Sequence, residues 1–316
     1  INKENSPVLE FQYEAVFYNN FTSISYTLIM IFKNWRLFGF AFALLLFLTG
    51  SVWYVAQEFE REPTLKVAFL DIGQGDAIFI ETPSRKQMLV DGGPNKSVVR
   101  ELSRVMPFFD RSIDVVINTH PDRDHIGGLP EVLKRYSVSR VLDPGVTSDS
   151  GTYGYYRQLI EQNPNIEYES ARRGQIIDFG DGAYAQILFP DRDMDGVSND
   201  NNASVIVHVV YASTSVMLTG DAPKKIEEYL ITLEGADLKS DILKAGHHGS
   251  RTSSSDSFVR AVSPKWVVIS AGKDNSYNHP HKEVMELFAS SSIEVLGTYD
   301  LGTIIFESDG KTFELR

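Results

Sequence analysis

Hydrophobic and polar positions divide the chain into one long apolar run near its beginning and many short apolar runs after it. The long run covers residues 37–56 and carries no charged side chain. A helix of this length can cross the hydrocarbon core of a membrane. The short runs are rich in Val, Ile, Leu and Phe and are separated by Gly, Pro, Asp or Asn, which is typical of buried strands. The pattern therefore predicts a transmembrane helix followed by a globular domain.

The short runs predict the architecture of that domain. The predicted strands are 65–70, 77–81, 87–90, 113–119, 140–142, 183–189, 204–211, 215–218, 242–245, 266–270, 293–296 and 303–307. The predicted helices, several with Ser, Thr or Pro near the start, are 97–105, 129–136, 153–162, 224–230, 255–262 and 281–289. Strands come in runs with helices between them, and the set repeats about twice. This arrangement predicts an α/β fold of two sheets with helices outside, an αββα four-layer sandwich, rather than one doubly wound sheet.

The flanks of the long apolar run predict its orientation. Lys33 and Arg36 precede it, whereas the charged residues that follow it are mostly acidic. Basic flanks stay on the cytoplasmic side, and Trp35, Trp53 and Tyr54 lie where an aromatic belt would anchor the two ends. We therefore expect a single-pass membrane protein whose globular domain is extracytoplasmic. The alternative is that the run forms a buried helix of the core.

The chain is divided into four parts on this basis. Residues 1–36 are interpreted as a cytoplasmic segment, 37–56 as the transmembrane helix, 57–63 as a linker and 64–316 as the globular domain. The sequence begins at Ile1 rather than Met, which raises the expectation of a longer translation product with an upstream region.

The composition excludes two kinds of chemistry and counts against a third. The chain has no cysteine, so disulfide bonds and thiolate catalysis are excluded and any metal must be bound by His, Asp, Glu or Asn. The net charge is −12, and residues 63–316 contribute −10, with 26 Lys and Arg against 36 Asp and Glu. Affinity for nucleic acids comes mainly from basic patches. The acidic balance counts against a nucleic-acid ligand, although bound divalent cations would offset it locally.

The strongest chemical signal is a group of polar side chains directly after the predicted strand 113–119. His120, Asp122, Asp124 and His125 lie within six residues. Imidazole nitrogens and carboxylate oxygens are ligands that zinc, manganese and iron accept. A polar turn is the alternative for any one of these residues, but the spacing of all four predicts a divalent-metal site.

Three further polar groups follow predicted strands, where loops on a rigid scaffold usually carry function. Asp91 begins an Asp-Gly-Gly turn, for which a plain turn is the alternative. Asp221 ends a Thr-Gly-Asp sequence, where one carboxylate can bridge two cations. His247 and His248 form an adjacent pair between glycines. All of them are hard or borderline ligands, so together with the first group they predict one metal centre built from several strand ends.

In their order along the chain, these residues resemble the metallo-β-lactamase superfamily of binuclear metallohydrolases, and most of all the hydrolase domain of the ComEC competence proteins. The resemblance covers about residues 64–316. The further motifs that carry it are Asp71-x-Gly73-Gln74-Gly75-Asp76, Leu218-Thr219-Gly220-Asp221, Gly246-His247-His248-Gly249-Ser250, Asn278-His279-Pro280-His281 and Thr298-Tyr299-Asp300-x-x-Gly302. It implies the αββα fold with the metal site at the edge of the sandwich.

The resemblance also implies a role for individual residues. Two divalent cations, zinc or manganese, are expected as cofactors. The implied metal ligands are His120 and Asp122 for one cation, Asp124, His125 and His248 for the other, and Asp221 as the bridge between them. The candidate catalytic residues are Asp124, Asp221 and His247, of which His247 is expected to face the substrate. The choice of His248 over His247 as the ligand is open.

Other residues are expected behind the ligands or against the substrate. Asp91 is expected to orient a ligand histidine through a hydrogen bond. His279 and Tyr277 are expected to contact a phosphate or a leaving group, with loop packing as the alternative. Asp71 and Asp76 are expected to shape the first turn rather than to touch metal.

Two departures from the superfamily pattern change the expected chemistry. Many members have histidine where this chain has Asp122, and an oxygen ligand there favours harder metals such as manganese without excluding zinc. A further ligand histidine is missing, because the matching region contains Asn201 and Ser204 instead, and these two are expected behind the ligands or against the substrate. His208 is interpreted as a sheet residue. The first cation is therefore expected to have fewer protein ligands.

A separate acidic segment resembles a calcium loop. Asp191, Asp193, Asp195 and Gly196 have the alternating oxygen ligands and the glycine turn of such a loop. Asn202 stands where a bidentate Glu would close it. A solvated acidic loop is therefore the favoured interpretation, and a weak calcium site at Asp191, Asp193 and Asp195 is the alternative.

Three functions follow from this interpretation. The first is a membrane-anchored metallohydrolase, a phosphodiesterase or nuclease, which the resemblance to ComEC links to DNA uptake. The second is an extracytoplasmic phosphodiesterase that acts on cell-surface phosphodiesters such as phosphocholine. The third is a non-catalytic, metal-stabilised domain that binds a surface or a partner. The complete set of ligands argues against the third, since a structural site is usually closed and uses fewer cations.

Overall fold

The computed structural model describes residues 35–57 and 62–316. The chain separates into two compact units, Ile1–Arg61 and Glu62–Arg316. The predicted cytoplasmic segment up to residue 34, and residues 58–61 of the predicted linker, lie outside the described residues.

The first described element is helix α1, Trp35–Gln57. It has 23 residues and a mean hydropathy of 1.9, and none of its most apolar stretch is buried. The hydroxyl groups of Thr49 and Ser51 donate to backbone carbonyls one turn earlier, at 2.9 and 2.8 Å, so these polar groups are satisfied within the helix as a lipid environment requires. A helix of the core would be buried. The structure therefore contains a candidate membrane span where the sequence predicts one.

The second unit consists of short strands and helices in alternation. The strands are β1 (Leu65–Phe69), β2 (Ile78–Glu81), β3 (Gln87–Val90), β4 (Ser112–Ile117), β5 (Ser137–Asp143), β6 (Glu167–Ser170), β7 (Ile176–Gly180), β8 (Ala183–Phe189), β9 (Ile206–Tyr211), β10 (Thr214–Leu218), β11 (Ile242–Lys244), β12 (Trp266–Ile269), β13 (Glu294–Gly297), β14 (Ile304–Ser308) and β15 (Phe313–Leu315). The helices are α2 (Ser97–Val105), α3 (Arg123–Ile126), α4 (Leu129–Arg135), α5 (Gly151–Glu161), α6 (Lys224–Glu234), α7 (Asp256–Val262), α8 (Lys282–Ser290) and α9 (Thr298–Leu301). Short 3-10 turns cover Asp200–Ala203, Gly235–Leu238 and Gly246–Gly249.

These strands form two sheets. The order is β15-β14-β1-β2-β3-β4-β5-β6 in the first sheet and β13-β12-β11-β10-β9-β8-β7 in the second. Strands β3 to β6 are parallel to one another, as are β10 to β13. The remaining neighbours are antiparallel.

The two sheets pack face to face, and helices cover both outer faces. The core between the sheets contains residues of both, such as Val67 and Val90 of the first and Val207 and Val216 of the second. Helices α2, α4 and α5 pack on the outer face of the first sheet, and α6, α7 and α8 on that of the second. Strands covered on both faces read as continuous apolar runs, as these do. The predicted αββα four-layer sandwich is confirmed.

Three strands of the structure were not predicted, and all three lie at sheet edges. They are β6 and β15 in the first sheet and β7 in the second. The four residues of β6, Glu-Tyr-Glu-Ser, are exposed or half-buried, and β15 buries only its first residue. An edge strand has one hydrogen-bonded neighbour and few packed side chains. Its sequence therefore lacks the apolar run on which the prediction depended.

The topology places the ends of four strands at one edge of the sandwich. In the first sheet, β3 and β4 are parallel and lead into Asp91 and His120. In the second sheet, β10 and β11 are parallel and lead into Asp221 and the 3-10 turn Gly246–Gly249. The N–H of Val205 donates to the carbonyl of Thr119 at 2.9 Å and joins the two sheets at this edge.

A buried glutamate fastens the loop after the Gly246–Gly249 turn to helix α6. Both carboxylate oxygens of Glu227 accept backbone N–H groups, from Ser254 and Ser255, each at 2.7 Å. The Ser253 hydroxyl donates to the carbonyl of Ala222 at 2.8 Å. Burial raises the pKa of Glu227 to about 7, and the two N–H donors offset only part of that effect.

The first prediction concerns the pH dependence of folding. Folded Glu227 keeps a proton that the unfolded chain loses above its ordinary pKa of 4.5, so its contribution is complete below that pH and is lost as the pH rises through about 7. Between pH 5 and pH 8 the free energy of unfolding of the wild type should fall by roughly 2–3 kcal/mol relative to Glu227→Gln, which cannot ionise.

Urea unfolding of the metal-free protein at both pH values measures this difference. Glu228→Gln is the matched control, because Glu228 is exposed on the same helix. An identical pH trend in the wild type and Glu227→Gln would contradict the assignment.

Candidate metal centre

Four imidazoles surround one buried carboxylate at the edge of the sandwich. Oδ2 of Asp221 lies 3.4 Å from Nε2 of His247, 3.6 Å from Nε2 of His248 and 3.9 Å from Nε2 of His120. Its Oδ1 lies 3.3 Å from Nε2 of His125. Ligands that share one tetrahedral cation at a bond length near 2.1 Å are separated by ~3.4 Å. These separations are therefore typical of atoms that share a cation.

Two further carboxylates lie on the solvent side of this group. Oδ2 of Asp122 is 3.5 Å from Nε2 of His120, and Oδ2 of Asp124 is 3.4 Å from Nε2 of His248. The side chain of Asp122 is 47% exposed and that of Asp124 is 32% exposed, against 3% for Asp221. The centre therefore opens to solvent beside Asp122 and Asp124.

The residues present fit a metal ion, because their inward-facing atoms have no other partner. Nε2 of His120, His125 and His248 and Oδ1 of Asp221 are buried and form no hydrogen bond within residues 35–57 and 62–316. Buried polar atoms are nearly always hydrogen-bonded. A divalent cation would satisfy all four at once, and nitrogen and carboxylate oxygen suit zinc, manganese or iron.

Asp91 holds the ligand loop after β4 in place. Its Oδ1 accepts the N–H of Thr119 and its Oδ2 accepts the hydroxyl of Thr119, both at 2.7 Å. Oδ2 also lies 2.8 Å from Nδ1 of His125, and the Thr119 hydroxyl lies 3.0 Å from Nδ1 of His120. With Nδ1 engaged, each ring presents Nε2 to Asp221. Asp91 is predicted to orient a ligand histidine, and its hydrogen bond with His125 is the contact that this role requires.

His247 and His248 are held in a strained turn. Their φ angles are +49° and +55°, a left-handed conformation that costs a non-glycine residue about 1–3 kcal/mol and is common at functional sites. Nδ1 of His248 lies 2.9 Å from the carbonyl of Ser270, and Nδ1 of His247 lies 3.1 Å from the hydroxyl of Thr252. Both rings therefore turn Nε2 inward. His248 is buried, whereas His247 is 28% exposed.

A buried ion pair that the sequence interpretation missed lies behind the ligands. Asp76 and Lys244 are both buried and in direct contact. Nζ of Lys244 also lies 3.3 Å from the carbonyl of Gly220 and 3.8 Å from Oδ1 of Asp221. Lys244 stands inside the apolar run of β11 and Asp76 directly precedes that of β2. A charged residue in or beside a buried strand is the sequence signal that could have revealed this ion pair.

Asp76 supports the imidazoles from the side that faces away from Asp221. The atoms of Asp76, His125, Asp221 and His248 that could bind metal lie within 4.8 Å of one another. However, Asp76 faces Nδ1 of His248 at 3.3 Å and Nδ1 of His125 at 3.8 Å, and both of these nitrogens already have hydrogen-bond partners. One ring cannot offer Nδ1 and Nε2 to the same cation. Asp76 is therefore placed behind the ligands.

A glycine makes the approach of Asp76 possible. The N–H of Asp76 donates to the carbonyl of Asp124 at 3.2 Å. A Cβ atom on Gly75 would lie 2.1 Å from that same carbonyl oxygen, and φ of Gly75 is +127°. Only glycine fits there.

The electrostatics of the centre favour bound cations. Burial opposes protonation of His125, but the carboxylates of Asp221 and Asp91 outweigh it and raise the pKa of its imidazole well above the ordinary value. Burial likewise opposes protonation of His248, but Asp221 and Asp76 raise its pKa to about 9. Burial also opposes ionisation of Asp221, but the neighbouring His248 and His125 hold its pKa well below the usual range. Protons therefore compete with metal for these atoms, as at other metal sites.

The other predicted site residues lie at different distances from the centre. The Ser204 hydroxyl accepts the N–H of Asp221 at 3.2 Å, so Ser204 positions that residue. Asn201 donates its N–H to Asn199 and accepts from Ser204 through its carbonyl, and these contacts stay within its own loop. The ring of His279 is 5.5 Å from that of His247.

His208 lies in β9, as interpreted from the sequence. Its Nε2 is 3.1 Å from the hydroxyl of Ser240. Burial lowers its pKa to about 4, as expected for a neutral imidazole in a packed sheet.

The structure does not assemble the predicted calcium loop. Asp191 accepts the hydroxyl of Tyr229 at 2.7 Å and contacts Arg192. Asp193 is paired with Arg172 at 3.4 Å and Asp195 accepts the hydroxyl of Thr147 at 3.1 Å. Each carboxylate is turned to a different partner, because the loop is tied to three separate neighbouring segments.

Comparison with known proteins assigns the chain to a family. Residues 70–273 match the model of the Metallo-beta-lactamase superfamily. The match includes strands β2 to β12 and all six predicted metal ligands. The chain belongs to the metallo-β-lactamase superfamily.

Within this superfamily the chain is similar to competence proteins. It is 33% identical over 257 residues to ComE operon protein 3 of Bacillus subtilis (strain 168), which covers 76% of this chain and 32% of that protein. It is 31% identical over 265 residues to Competence protein ComA of Neisseria gonorrhoeae, with 83% and 35% covered. The chain thus spans about a third of the length of these relatives.

A solved structure supports the fold alone. Igni18, a metallo hydrolase from the archaeon Ignicoccus hospitalis KIN4/I, is 15% identical and aligns with a TM-score of 0.51 over 78% of this chain and 100% of its own. The chain has the metallo-β-lactamase fold, and the buried Asp and His residues at the sandwich edge are able to bind metal.

The second prediction tests the ion pair behind the ligands. Lys244→Met removes the lysine that contacts the buried Asp76 carboxylate, which should lower the free energy of unfolding by roughly 3–5 kcal/mol. The double variant Asp76→Asn/Lys244→Met should recover much of that loss. Denaturant unfolding of the metal-free proteins measures both values. Lys225→Met, at an exposed lysine of α6, is the control. If the effects of Asp76→Asn and Lys244→Met measured separately simply added up in the double variant, the two side chains would not be coupled.

Proposed function

We propose that this chain is a membrane-anchored hydrolase that uses two divalent cations to cleave phosphodiester bonds of DNA outside the cytoplasm. The observation that carries the proposal is the set of buried imidazole and carboxylate atoms without hydrogen-bond partners around Asp221. Asp221 lies between two pairs of ligands, His120 with Asp122 on one side and His248 with Asp124 on the other. This arrangement supports a binuclear centre rather than a single closed structural site.

The proposed roles of the side chains follow from their positions. His120 and Asp122 would hold one cation, Asp124, His125 and His248 the other, and Asp221 both. When bound, two such cations activate a water molecule near neutral pH and stabilise the negative charge that develops on the attacked phosphate. Asp91, Asp76 and Ser204 keep the ligands in place without touching the substrate.

His247 is proposed to face the substrate. Its side chain is the most exposed of the four imidazoles around Asp221. Burial lowers its pKa and the nearby Asp221 offsets only part of this, so the ring is neutral at physiological pH. A neutral ring that donates Nδ1–H to Thr252 could accept a hydrogen bond or a proton through Nε2 from a water molecule beside a bound phosphodiester.

DNA is the proposed substrate because of the relatives. Competence protein ComA and ComE operon protein 3 are 31% and 33% identical to this chain over the aligned regions, which cover most of this chain. On this basis we propose that the hydrolase domain of this chain acts on DNA. Helix α1, with a basic flank before it and acidic residues after it, supports an orientation in which the hydrolase domain lies outside.

The third prediction tests the activity. The full chain in detergent should bind about two equivalents of manganese or zinc. It should hydrolyse bis(p-nitrophenyl) phosphate and single-stranded DNA. Asp221→Asn should lose metal and lower kcat by more than about a hundredfold, beyond the effect typical of residues behind the ligands.

Asp237→Asn is the matched control, because Asp237 is exposed. This substitution should leave the metal content and kcat unchanged. Metal content is measured after dialysis, alongside initial rates. A wild-type protein that binds metal but turns over no phosphodiester would refute the proposed activity and leave a metal-stabilised domain.

The fourth prediction tests the orientation. In intact cells that produce the chain with a C-terminal epitope, protease added outside should remove the hydrolase domain. A cytoplasmic marker protein should survive the same treatment. If the hydrolase domain were cut only after the cells are lysed, it would lie in the cytoplasm and the proposed orientation would be refuted.

A further inference from the structure

A groove leads away from the metal centre across the surface of the first sheet's helices. It consists of two cavities of about 440 and 630 Å³ that share Pro94, Asn95 and Arg123. The smaller cavity is lined by Asp124, one of the proposed ligands. The larger one continues to Thr152 at the start of α5. The groove is therefore continuous with the centre and extends well beyond the space that a single phosphate needs.

The charges along this groove differ from those of the domain as a whole. Lys96 and Arg123 line it and are exposed, and neither is paired with a carboxylate in the described part of the chain. Arg135, at the far end, contacts Glu131, which also lines the groove, so their charges cancel. Two cations without a carboxylate partner thus line the groove, Arg123 beside the proposed ligand Asp124 and Lys96 further along, in a domain whose formal charge is −10.

An exposed aromatic ring lies at the end of the groove nearest the centre. Tyr277 is 60% exposed and lines the smaller cavity. Its ring is nearly parallel to that of His279, at 24° and 5.7 Å between centroids. Asn275 fixes this loop by accepting the N–H of Tyr277 at 3.1 Å and donating to the carbonyl of Gly272 at 2.9 Å. A ring supported on one side in this way offers its other face for stacking.

We infer that this groove binds the part of a single-stranded nucleic acid next to the bond that is cleaved. Arg123 and Lys96 would contact successive phosphates, and Tyr277 would stack on a base. Cations that follow the backbone, combined with an exposed aromatic ring, are how proteins bind single strands without sequence preference. A wall polymer with phosphodiester links but no bases would use the cations and not the ring. This inference rests on the proposed function, since the groove begins at the proposed metal centre.

Binding of a labelled single-stranded oligonucleotide tests the groove without turnover. In the full chain carrying Asp221→Asn, which is not expected to cut DNA, Lys96→Gln/Arg123→Gln should raise Kd roughly 25-fold at about 0.1 M salt. It should also lower the slope of log Kd against log salt by about 1.4, or about 0.7 for each phosphate that is no longer neutralised. Lys225→Gln/Lys311→Gln removes two exposed charges elsewhere and should change neither value. Fluorescence anisotropy measures both.

Variants of Tyr277 test the proposed stacking contact. Tyr277→Ala should weaken binding without a change in the salt slope, because stacking is not ionic, and Tyr277→Phe should restore it. In the active protein, Lys96→Gln/Arg123→Gln should lower kcat/KM much more for the oligonucleotide than for bis(p-nitrophenyl) phosphate, mainly through KM.

The outcomes separate the two proposals. The proposed groove would be refuted if Lys96→Gln/Arg123→Gln left the salt slope unchanged, or if Lys225→Gln/Lys311→Gln lowered the affinity as much. It would also be refuted if kcat/KM fell equally for the oligonucleotide and for bis(p-nitrophenyl) phosphate. If Lys96→Gln/Arg123→Gln lowered the affinity but Tyr277→Ala bound the oligonucleotide as tightly as the protein with Tyr277, no base would stack on the ring. That result would refute a nucleic acid as the ligand and favour a polymer with phosphodiester links but no bases. Binding that follows the predictions in a wild type that cuts no phosphodiester would uphold the groove and refute the proposed activity.

Discussion

Buried negative charge is the constraint on which the rest of this structure depends. Asp76, Asp91 and Asp221 are all buried, and a buried carboxylate without compensation costs several kcal/mol. Each is compensated differently: Asp91 by hydrogen bonds from the next strand end, Asp76 by Lys244, and Asp221 by surrounding imidazoles. Hydrogen bonds and the Lys244 charge are built into the fold. The imidazole atoms around Asp221 still lack hydrogen-bond partners among the described residues, and this is why the site is suited to cations.

The sandwich makes this concentration of charge possible. Two pairs of parallel strands, one in each sheet, end at the same edge, so their loops meet without a large insertion. The strained turn at His247 and His248 is held by contacts on both sides, to Ser270 and Thr252. The loop that follows it is fastened to α6 by Glu227. A strained conformation persists only where the surroundings determine it in this way.

Charge is also distributed unevenly over the surface of the domain. Many arginines and lysines on the sheets and helices are paired with carboxylates, as Arg104 is with Glu101 and Arg173 with Glu234. Within residues 62–316, Lys96 and Arg123 have no such partner; Arg123 lies in the cavity beside the proposed ligand Asp124, and Lys96 lies further along the groove. An acidic protein keeps most polyanions away through its overall field. In the proposed groove, Lys96 and Arg123 would offset that field locally.

The sequence by itself determined the fold class, the apolar helix and the four motifs that build the site, because these depend on local patterns. Short continuous apolar runs indicate strands covered on both faces, and the spacing from His120 to His125 places ligands on one loop. It did not determine three of the four edge strands, which bury too little to leave a pattern, and it placed Asp76 in a turn and assigned no role to Lys244. It also suggested a calcium loop whose carboxylates turn to separate partners. Only the tertiary structure decided these points, since the partner of a buried charge or of an acidic loop lies on a distant segment of the chain.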